Sequence, residues 1–337
     1  MSRVMVAMSG GVDSSVAAAL LQEEGHDVVG VTLKLWGGPS DSGCCSVSDV
    51  EDARRVAAQL DVPHYVLDLT DDFERGVVDP YVDGYARGQT PNPCVECNRV
   101  VKFGALLARA VALDCDALAT GHHARVVDTP LGRRVARGAD AAKDQSYVLY
   151  MLDGPVLDRV VLPVGEIDKP TVRAHARRLG LRTAEKPDSM DVCFVRRNDR
   201  ATFIAARSAP VPGPIVDADG RVVGTHDGIG AFTVGQRRGL GVAVGERRYV
   251  VGVDAATATV TIGRRAELLR DEVHLRDVVV HSPVSRVDAQ VRAHGTPVRA
   301  TFDGETVRFD VPQPRVAPGQ VVALYDGDVI VAGGVAA

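Results

Sequence analysis

Residues 8–16 read MSGGVDSSV, and the apolar run Val4-Met5-Val6-Ala7-Met8 leads into them. A helical pattern follows, Val16-Ala17-Ala18-Ala19-Leu20-Leu21. Strand, glycine-rich turn and helix in that order build an anion site, because the first amides of a helix lack intrahelical acceptors and point outward together. Asp13 stands among those donors, where a bare phosphate would be repelled. The residues leave two readings open. Asp13 caps the helix, or it holds a Mg²⁺ that arrives with phosphates, since Mg²⁺ is bound through one or two carboxylates plus phosphate oxygens. The loop lacks the GK[ST] ending of a Walker A motif, so no lysine is expected to reach the β- and γ-phosphates.

The same alternation continues outward from this stretch. Apolar runs at 3–8, 28–36 and 64–69 read as strands. Val50, Ala53, Val56, Ala57 and Leu60 make one helix face, with Ser48 and Glu51 as its capping box. Ala117-Leu118-Ala119 is another strand, ending at Thr120-Gly121-His122-His123. Strands spaced by helices predict a doubly wound, mostly parallel α/β sheet. Ligands bind such sheets beyond the carboxyl ends of the strands, where MSGGVDSSV and TGHH would both lie. Pro170 opens a further helix and Gly180 closes it.

Past about residue 205 the texture changes, with a breaker cluster at Pro210, Pro212, Gly213 and Pro214 and turn dipeptides Asp219-Gly220 and Asp227-Gly228. Short strand patterns at 276–280, 297–302, 305–311, 321–325 and 328–332 predict a small β-barrel. The expected division is an α/β domain over 1–204, a small β-rich central domain over 205–272 and a C-terminal β-barrel over 273–337.

The bulk properties are those of an ordinary globular chain. A length of 337 residues leaves room for two or three domains, and 45% hydrophobic with 25% charged residues is ordinary for a soluble globular chain. No run approaches the eighteen apolar residues of a membrane span, and the start is too short for a signal-peptide core. A cytoplasmic location is therefore expected, with no membrane partner. There, six cysteines point to thiol chemistry or metal rather than a disulfide framework. The net charge of −5 does not by itself call for nucleic acid, but charge is unevenly spread. Residues 41–85 hold eleven acids against three arginines, and residues 169–207 hold ten Lys/Arg against four acids. The basic stretch is either a phosphate-binding face or, through Arg173, Arg177, Arg178 and Arg182, one solvated helix face.

The cysteines carry the second constellation. Thr90-Pro91-Asn92-Pro93-Cys94-Val95-Glu96-Cys97-Asn98 is a stiff, exposed loop with Cys94 and Cys97 at CxxC spacing, which suits a metal or a redox pair. Cys193 lies in the short run Val192-Cys193-Phe194-Val195, as a core thiol or a reactive one. Cys44 and Cys45 could complete a four-cysteine zinc site with Cys94 and Cys97, although adjacent ligands strain a shared tetrahedron. Cys115, before an apolar strand, reads as packing.

Ser9-Gly10-Gly11-Val12-Asp13-Ser14 directly after a first strand resembles the pyrophosphate loop of the N-type ATP pyrophosphatases, whose fold is adenine nucleotide alpha-hydrolase-like. Those enzymes cleave ATP to AMP and pyrophosphate while adenylating a substrate oxygen. Six blocks in order extend the resemblance: MSGGVDSSV, TPNPCVECNRVVKF (90–103), ATGHHAR (119–125), AAKDQSYVLYML (141–152), DVCFV (191–195) and FTVGQRRGLGV (232–242). PGQVVALYDGDVIVAGG (318–334) fits as well. Together they resemble the tRNA-specific 2-thiouridylases, which replace the C2 oxygen of the wobble uridine, position 34, with sulfur.

The resemblance implies a set of roles. ATP with Mg²⁺ would meet Ala7, Met8, Ser9, Gly10, Gly11, Val12, Asp13, Ser14, Leu33 and Gly121, with Asp13 acting through the metal. Cys193 matches the persulfide-carrying cysteine. Cys97 matches the partner thiol, which resolves the intermediate or forms a disulfide with Cys193. His122, Lys143, Asp144, Gln145 and Gln320 match positions that touch tRNA; for His122 the alternative is a satisfied buried histidine. The implied substrates are the tRNAs for Lys, Gln and Glu, and the implied sulfur donor is a cysteine desulfurase or a small carrier protein. Two positions depart from the family pattern: Asp is common where this chain has Cys94, and Tyr is usual where it has His123. Cys94, Cys97 and Cys193 also number three thiolates, which would hold a [4Fe–4S] cluster with one open iron, an alternative to the persulfide.

The chemistry follows from the residue types. A urea-like carbonyl at C2 has oxide as its leaving group, which does not depart; adenylation converts that oxygen into AMP. A sulfur nucleophile must then attack C2. A free cysteine is only a few per cent thiolate at neutral pH, and a persulfide is both more nucleophilic and able to give up its outer sulfur. A rival reading is an adenylating ligase for a small acid, like the argininosuccinate, GMP and NAD synthetases, but nothing in that reaction needs Cys97 and Cys193. A non-enzymatic tRNA-binding or iron–sulfur module would not need an intact loop.

Overall fold

The computed structural model describes residues 1–36, 47–188, 192–195, 199–243 and 245–337. Cys44, Cys45 and Asp191 lie outside the described residues, and so does any zinc site that would use the first two. Among the described residues no helix is long and apolar enough to cross a membrane. The chain divides into two compact units, one of residues 1–77, 94–194 and 328–330, the other of residues 78–93, 195–327 and 331–337.

The first unit is built on a five-stranded parallel sheet. Its strands are β1 (Arg3–Ala7), β2 (Asp27–Lys34), β3 (His64–Asp68), β4 (Ala117–Thr120) and, after the hairpin β5 (Ala124–Thr129) and β6 (Gly132–Arg137), β7 (Val160–Val161). The order is β3-β2-β1-β4-β7, and all neighbours in it run parallel. From β1 the chain moves to β2 on one side and later to β4 on the other. The gap between the carboxyl ends of β1 and β4 is thus the topological switch point, where sheets of this class open a crevice.

Helix α1 (Val12–Glu23) packs on this sheet beside α2 (Val47–Gln59) and the helix Lys169–Arg178. Val16, Ala17, Ala18 and Leu21 of α1 are buried with Val4, Val6 and Met8 of the β1 segment. The alanines let helix and sheet approach closely, and each large apolar side chain withdrawn from water contributes about 1.5–3 kcal/mol. The Lys169 helix starts as its residues require: the Asp168 side chain accepts from the Thr171 amide at 2.9 Å, and Pro170 sits in the first turn. Gly180 follows its end at φ +63. Helix α2 runs from Val47, so Ser48 stands inside its first turn and not at the cap that the capping-box pattern implies. The β5–β6 hairpin is not foreshadowed by the sequence because its arginines break the apolar pattern; residues 328–330 pair with it through Val329 opposite Ala136.

The second unit contains two β structures. A four-stranded sheet orders β10 (Tyr249–Asp254), β11 (Thr259–Gly263), β8 (Gly213–Val216) and β9 (Val222–His226), around a core of Ile215, Phe232, Val250, Val260 and Ile262. The remaining strands are β12 (Leu269–Val280), β13 (Arg286–Gln290), β14 (Val298–Phe302), β15 (Thr306–Pro314), β16 (Val321–Asp326) and β17 (Val329–Ala336). They run in the order β12-β15-β14-β13-β16-β17, and β12 pairs with β17 to close a six-stranded barrel. The expected parallel sheet, central β-rich region and C-terminal barrel are all present. The sequence pattern yields five barrel strands. It passes over β13, whose RVDAQ buries only Val287, Ala289 and Gln290.

Candidate active site at the carboxyl edge of the parallel sheet

The loop after β1 is held by its own hydroxyls. Ser14 Oγ accepts from the Ser9 amide at 3.1 Å and donates to the Gly11 carbonyl at 3.2 Å; Ser15 Oγ donates to the same carbonyl at 2.8 Å. Gly10 has φ +71, and a Cβ there would lie 2.2 Å from the Asp49 carbonyl oxygen of α2. No other residue fits that position. Met8, Val12 and Ser14 are buried and Ala7 ends β1, so these residues offer a ligand their backbone rather than their side chains. Leu33 is buried in β2. Gly121, following β4, abuts the loop: a Cβ would stand 2.6 Å from the Ser14 amide nitrogen and 2.8 Å from the Asp13 carbonyl carbon. The two segments expected at the sheet edge are therefore in contact.

Asp13 does not cap α1. The cap is Gly11, in extended conformation, and Asp13 turns its carboxylate elsewhere. Lys169 Nζ donates to both of its oxygens, at 2.8 and 2.7 Å, and His123 Nε2 lies 3.0 Å from Oδ1. Burial works to raise the Asp13 pKa, but the bonds from His123 and Lys169 outweigh it and hold the carboxyl below its ordinary value. Lys169 also reaches Asp188 at 2.9 Å. Asp188 in turn binds Lys143 at 2.8 Å and Arg173 at 3.0 Å. Burial opposes its ionisation too, yet Lys143 and Lys169 bring its pKa down to about 2.

A second lysine meets the loop from its carbonyl side. Lys186 Nζ donates to the Gly10 carbonyl at 3.0 Å, to Asp49 at 2.6 Å and to Asp52 at 2.7 Å. Sequence reasoning places no lysine here, because a motif is searched for a lysine inside the loop. Lys169 and Lys186 come from the basic stretch, which the sequence alone presents only as a face. Its arginines are also matched by acids: Arg177 with Glu185, Arg178 with Glu23, Arg182 with Asp52.

The residues matched to tRNA contacts divide. His122 is 7% exposed, with Nδ1 2.7 Å from Thr120 Oγ1 and its ring tilted against Phe103. Burial, with Lys102 and His123 nearby, pushes its pKa well below the usual histidine value, so it is neutral. Asp144 is buried and accepts from Arg137, the Gly138 and Ser146 amides and the Ser146 hydroxyl. Gln145 Oε1 accepts from the His123 amide at 2.9 Å. Lys143, with its side chain 42% exposed, and Gln145, an exposed residue, are the members of this set open to solvent. In the second unit, Gln320 donates to the Thr90 carbonyl of the TPNPC segment.

Both cysteine segments belong to the sheet's carboxyl edge. Phe194 stacks edge-on against Phe73, which follows β3, with centroids 5.5 Å apart, and tilts against Trp36, just past β2, at 6.1 Å. This anchors half-buried Cys193. Cys97 is buried at the start of a π-wound stretch, Cys97–Leu106, which continues as a helix to Ala112. That stretch is tied down by Asn98 Nδ2 donating to the Val148 carbonyl at 3.2 Å and by the Phe103–His122 contact. Cys94, just before it, is half-buried. Cys115 is buried, and burial raises its thiol pKa.

The donors around Asp13 fit one implied group, Mg²⁺. A single half-buried carboxylate facing open helix amides suits Mg²⁺ that keeps phosphate oxygens as its other ligands. Among the described residues, no three His, Cys, Asp or Glu side chains are gathered to hold a metal.

Family models match the whole arrangement in series. The tRNA methyl transferase HUP domain covers residues 2–197, the tRNA methyl transferase PRC-barrel domain 201–264 and an aminomethyltransferase beta-barrel domain 267–336. Curated relatives named tRNA-specific 2-thiouridylase MnmA align along nearly the full length. The one from Heliobacterium modesticaldum is 46% identical over 98% of this chain and 91% of that protein. The one from Mycolicibacterium smegmatis is 47% identical over 98% of both. The chain belongs to the tRNA-specific 2-thiouridylase family. Among solved structures, the U34-tRNA thiolase NcsA from Methanococcus maripaludis, determined with its [4Fe-4S] cluster, aligns at TM-score 0.38 and 17% identity, over 61% of this chain and 63% of that one.

Proposed function

We propose that this chain is an ATP-dependent tRNA-uridine 2-sulfurtransferase acting on the wobble uridine at position 34. The observation that carries the reading is the placement of the Asp13 loop and of the Cys97 and Cys193 segments on one sheet edge of one unit. Methyl transfer, which the family models' descriptions mention, needs neither an adenylating loop nor paired thiols.

The loop amides and Gly121 would seat ATP with its pyrophosphate at α1. Mg²⁺ on Asp13 would neutralise charge on the departing pyrophosphate. The uridine C2 oxygen attacks the α-phosphorus, and the P–O bond to pyrophosphate breaks. Cys193, as a persulfide, then attacks C2 through its outer sulfur, and AMP leaves with the former C2 oxygen. Cys97 thiolate attacks Cys193 Sγ, which leaves the outer sulfur on C2 as 2-thiouridine and a Cys97–Cys193 disulfide. A thiol reductant and a sulfur donor, a cysteine desulfurase or a carrier protein, complete the cycle. ATP and Mg²⁺, the tRNAs for Lys, Gln and Glu, and the residue roles carried from the family all belong to this proposal. So do the tRNA contacts of Lys143 and Gln145, which their exposure favours; the inward bonds of buried His122 and Asp144 make their share one of shaping the site.

The test is the full chain with ATP, Mg²⁺, a desulfurase with cysteine, and an unmodified tRNA transcript carrying U34. Formation of 2-thiouridine at that position with equimolar AMP and pyrophosphate is expected. Pyrophosphate release driven by a small carboxylic acid with no tRNA would overturn the reading.

A further inference from the structure

The loop after β1 carries no lysine, yet a leaving pyrophosphate needs a cation beyond one metal ion. Two lysines reach the loop, and their positions separate them. Lys186 sits on the Gly10 carbonyl, the side away from the amides that face an anion. Its other partners, Asp49 and Asp52, fix α2 to the loop. Lys169 sits instead on Asp13, at the start of α1. Its side chain is 9% exposed and its three donors are spent on three carboxylate oxygens, two of Asp13 and one of Asp188.

A lysine with a purely structural duty is normally needed by its acids, because removing it would strand a buried charge. That is not so here. Asp13 keeps His123 at 3.0 Å, and Asp188 keeps Lys143 at 2.8 Å and Arg173 at 3.0 Å. Asp188 has two further cations and Asp13 a further hydrogen-bond partner in the His123 ring, so the ammonium can leave either one without baring it. We propose that Lys169 is the phosphate-binding lysine of this site: on entry of ATP its ammonium moves from Asp13 to oxygens of the leaving pyrophosphate, while Asp188 holds it from behind. The lysine that a Walker loop carries next to its glycines is here delivered by a helix 156 residues further along. This rests on the adenylation reading above.

The experiment measures equilibrium binding of Mg²⁺–pyrophosphate and, separately, of AMP to the full chain, as wild type, Lys169→Gln and Lys169→Arg. Lys169→Gln is expected to weaken pyrophosphate at least about tenfold with AMP affinity within twofold, and Lys169→Arg to recover most of the loss. Pyrophosphate release with tRNA present should fall about a hundredfold in kcat for the glutamine variant. Unchanged pyrophosphate affinity, or pyrophosphate and AMP weakened by the same factor, would overturn the proposal. Should the glutamine variant not fold, the unaltered chain tests the same point. A crystal structure with Mg²⁺ and pyrophosphate places Lys169 Nζ within hydrogen-bond distance of a phosphate oxygen if the proposal holds, and still on both Asp13 oxygens if it does not. A wild-type chain that binds neither AMP nor pyrophosphate overturns the nucleotide reading of the loop, and this inference with it.

Discussion

The side-chain amide of Gln320 donates to the Thr90 carbonyl at 2.6 Å, joining residues 230 apart in sequence. The Thr90 amide donates to the Pro318 carbonyl at 2.6 Å, so one turn of the second unit grips the TPNPC segment twice. The family resemblance gives Gln320 a tRNA contact; its geometry gives it this anchoring. Gln320→Ala should accelerate amide hydrogen exchange in a peptide spanning residues 86–92, by the equivalent of about 1 kcal/mol for one lost hydrogen bond. Unaltered exchange there would leave Gln320 to the tRNA alone.

Asp13→Asn removes the charge that a metal would meet and keeps the shape. Pyrophosphate release in the presence of ATP and tRNA should fall by about two to three orders of magnitude, as for loss of one main electrostatic contact to a transition state. Folding should survive, since Lys169 retains Asp188. A normal rate of AMP formation would return Asp13 to a structural role.

Cys193→Ser and Cys97→Ser should each abolish 2-thiouridine, read by nucleoside mass spectrometry, and leave ATP-dependent pyrophosphate release within a few-fold of wild type. Separating the two readouts matters because adenylation uses neither thiol. Thiolation at the wild-type rate by either variant removes that cysteine from the relay.

Gly121→Ala would set a Cβ 2.6 Å from the Ser14 nitrogen, closer than any real contact. Loop and strand end must part, and nucleotide affinity should drop at least about tenfold while secondary structure, by far-ultraviolet circular dichroism, stays the same. ATP bound with wild-type affinity would show that the contact can yield.

His122 is held neutral by burial. Its pKa in the unfolded chain is higher, so as pH falls below about 6.5 the unfolded state takes up a proton that the native state refuses. Stability from this group is present above that pH and is lost on the way down toward the folded pKa. His64, also lowered by burial and by Arg54, adds in the same direction. The urea midpoint should therefore fall between pH 7.5 and 5.5, and fall less in His122→Asn. An equal fall in both chains would place the linked proton elsewhere.

Local patterns carried the fold. β1, β2 and β3, the helix between Pro170 and Gly180, and five of the six barrel strands follow from apolar period and turn residues. β13 and the β5–β6 hairpin were illegible because Arg and Asp occupy their outward positions, and alternation drops below notice in strands of five or six residues. In the site, the loop, Gly121 and the cysteines were visible as motifs. Lys169, Asp188, Lys186 and Asp49 were not. A motif reports residues close in sequence, whereas these charges meet only after α2 and the Lys169 helix have packed on α1. One signal did exist: a phosphate loop without a lysine demands a cation from somewhere else.

The 156-residue separation of Asp13 and Lys169 also has a clock attached to it. At synthesis rates of about 5–20 residues per second, roughly 8–30 s pass between the emergence of the acid and that of the base. For that interval a nascent chain can shape the glycine turn and α1, while Asp13 waits without its ammonium. His123 emerges sooner and is the first of its two partners to reach it. The charge balance of the site is thus a late event in biogenesis, completed only when the basic stretch has left the ribosome.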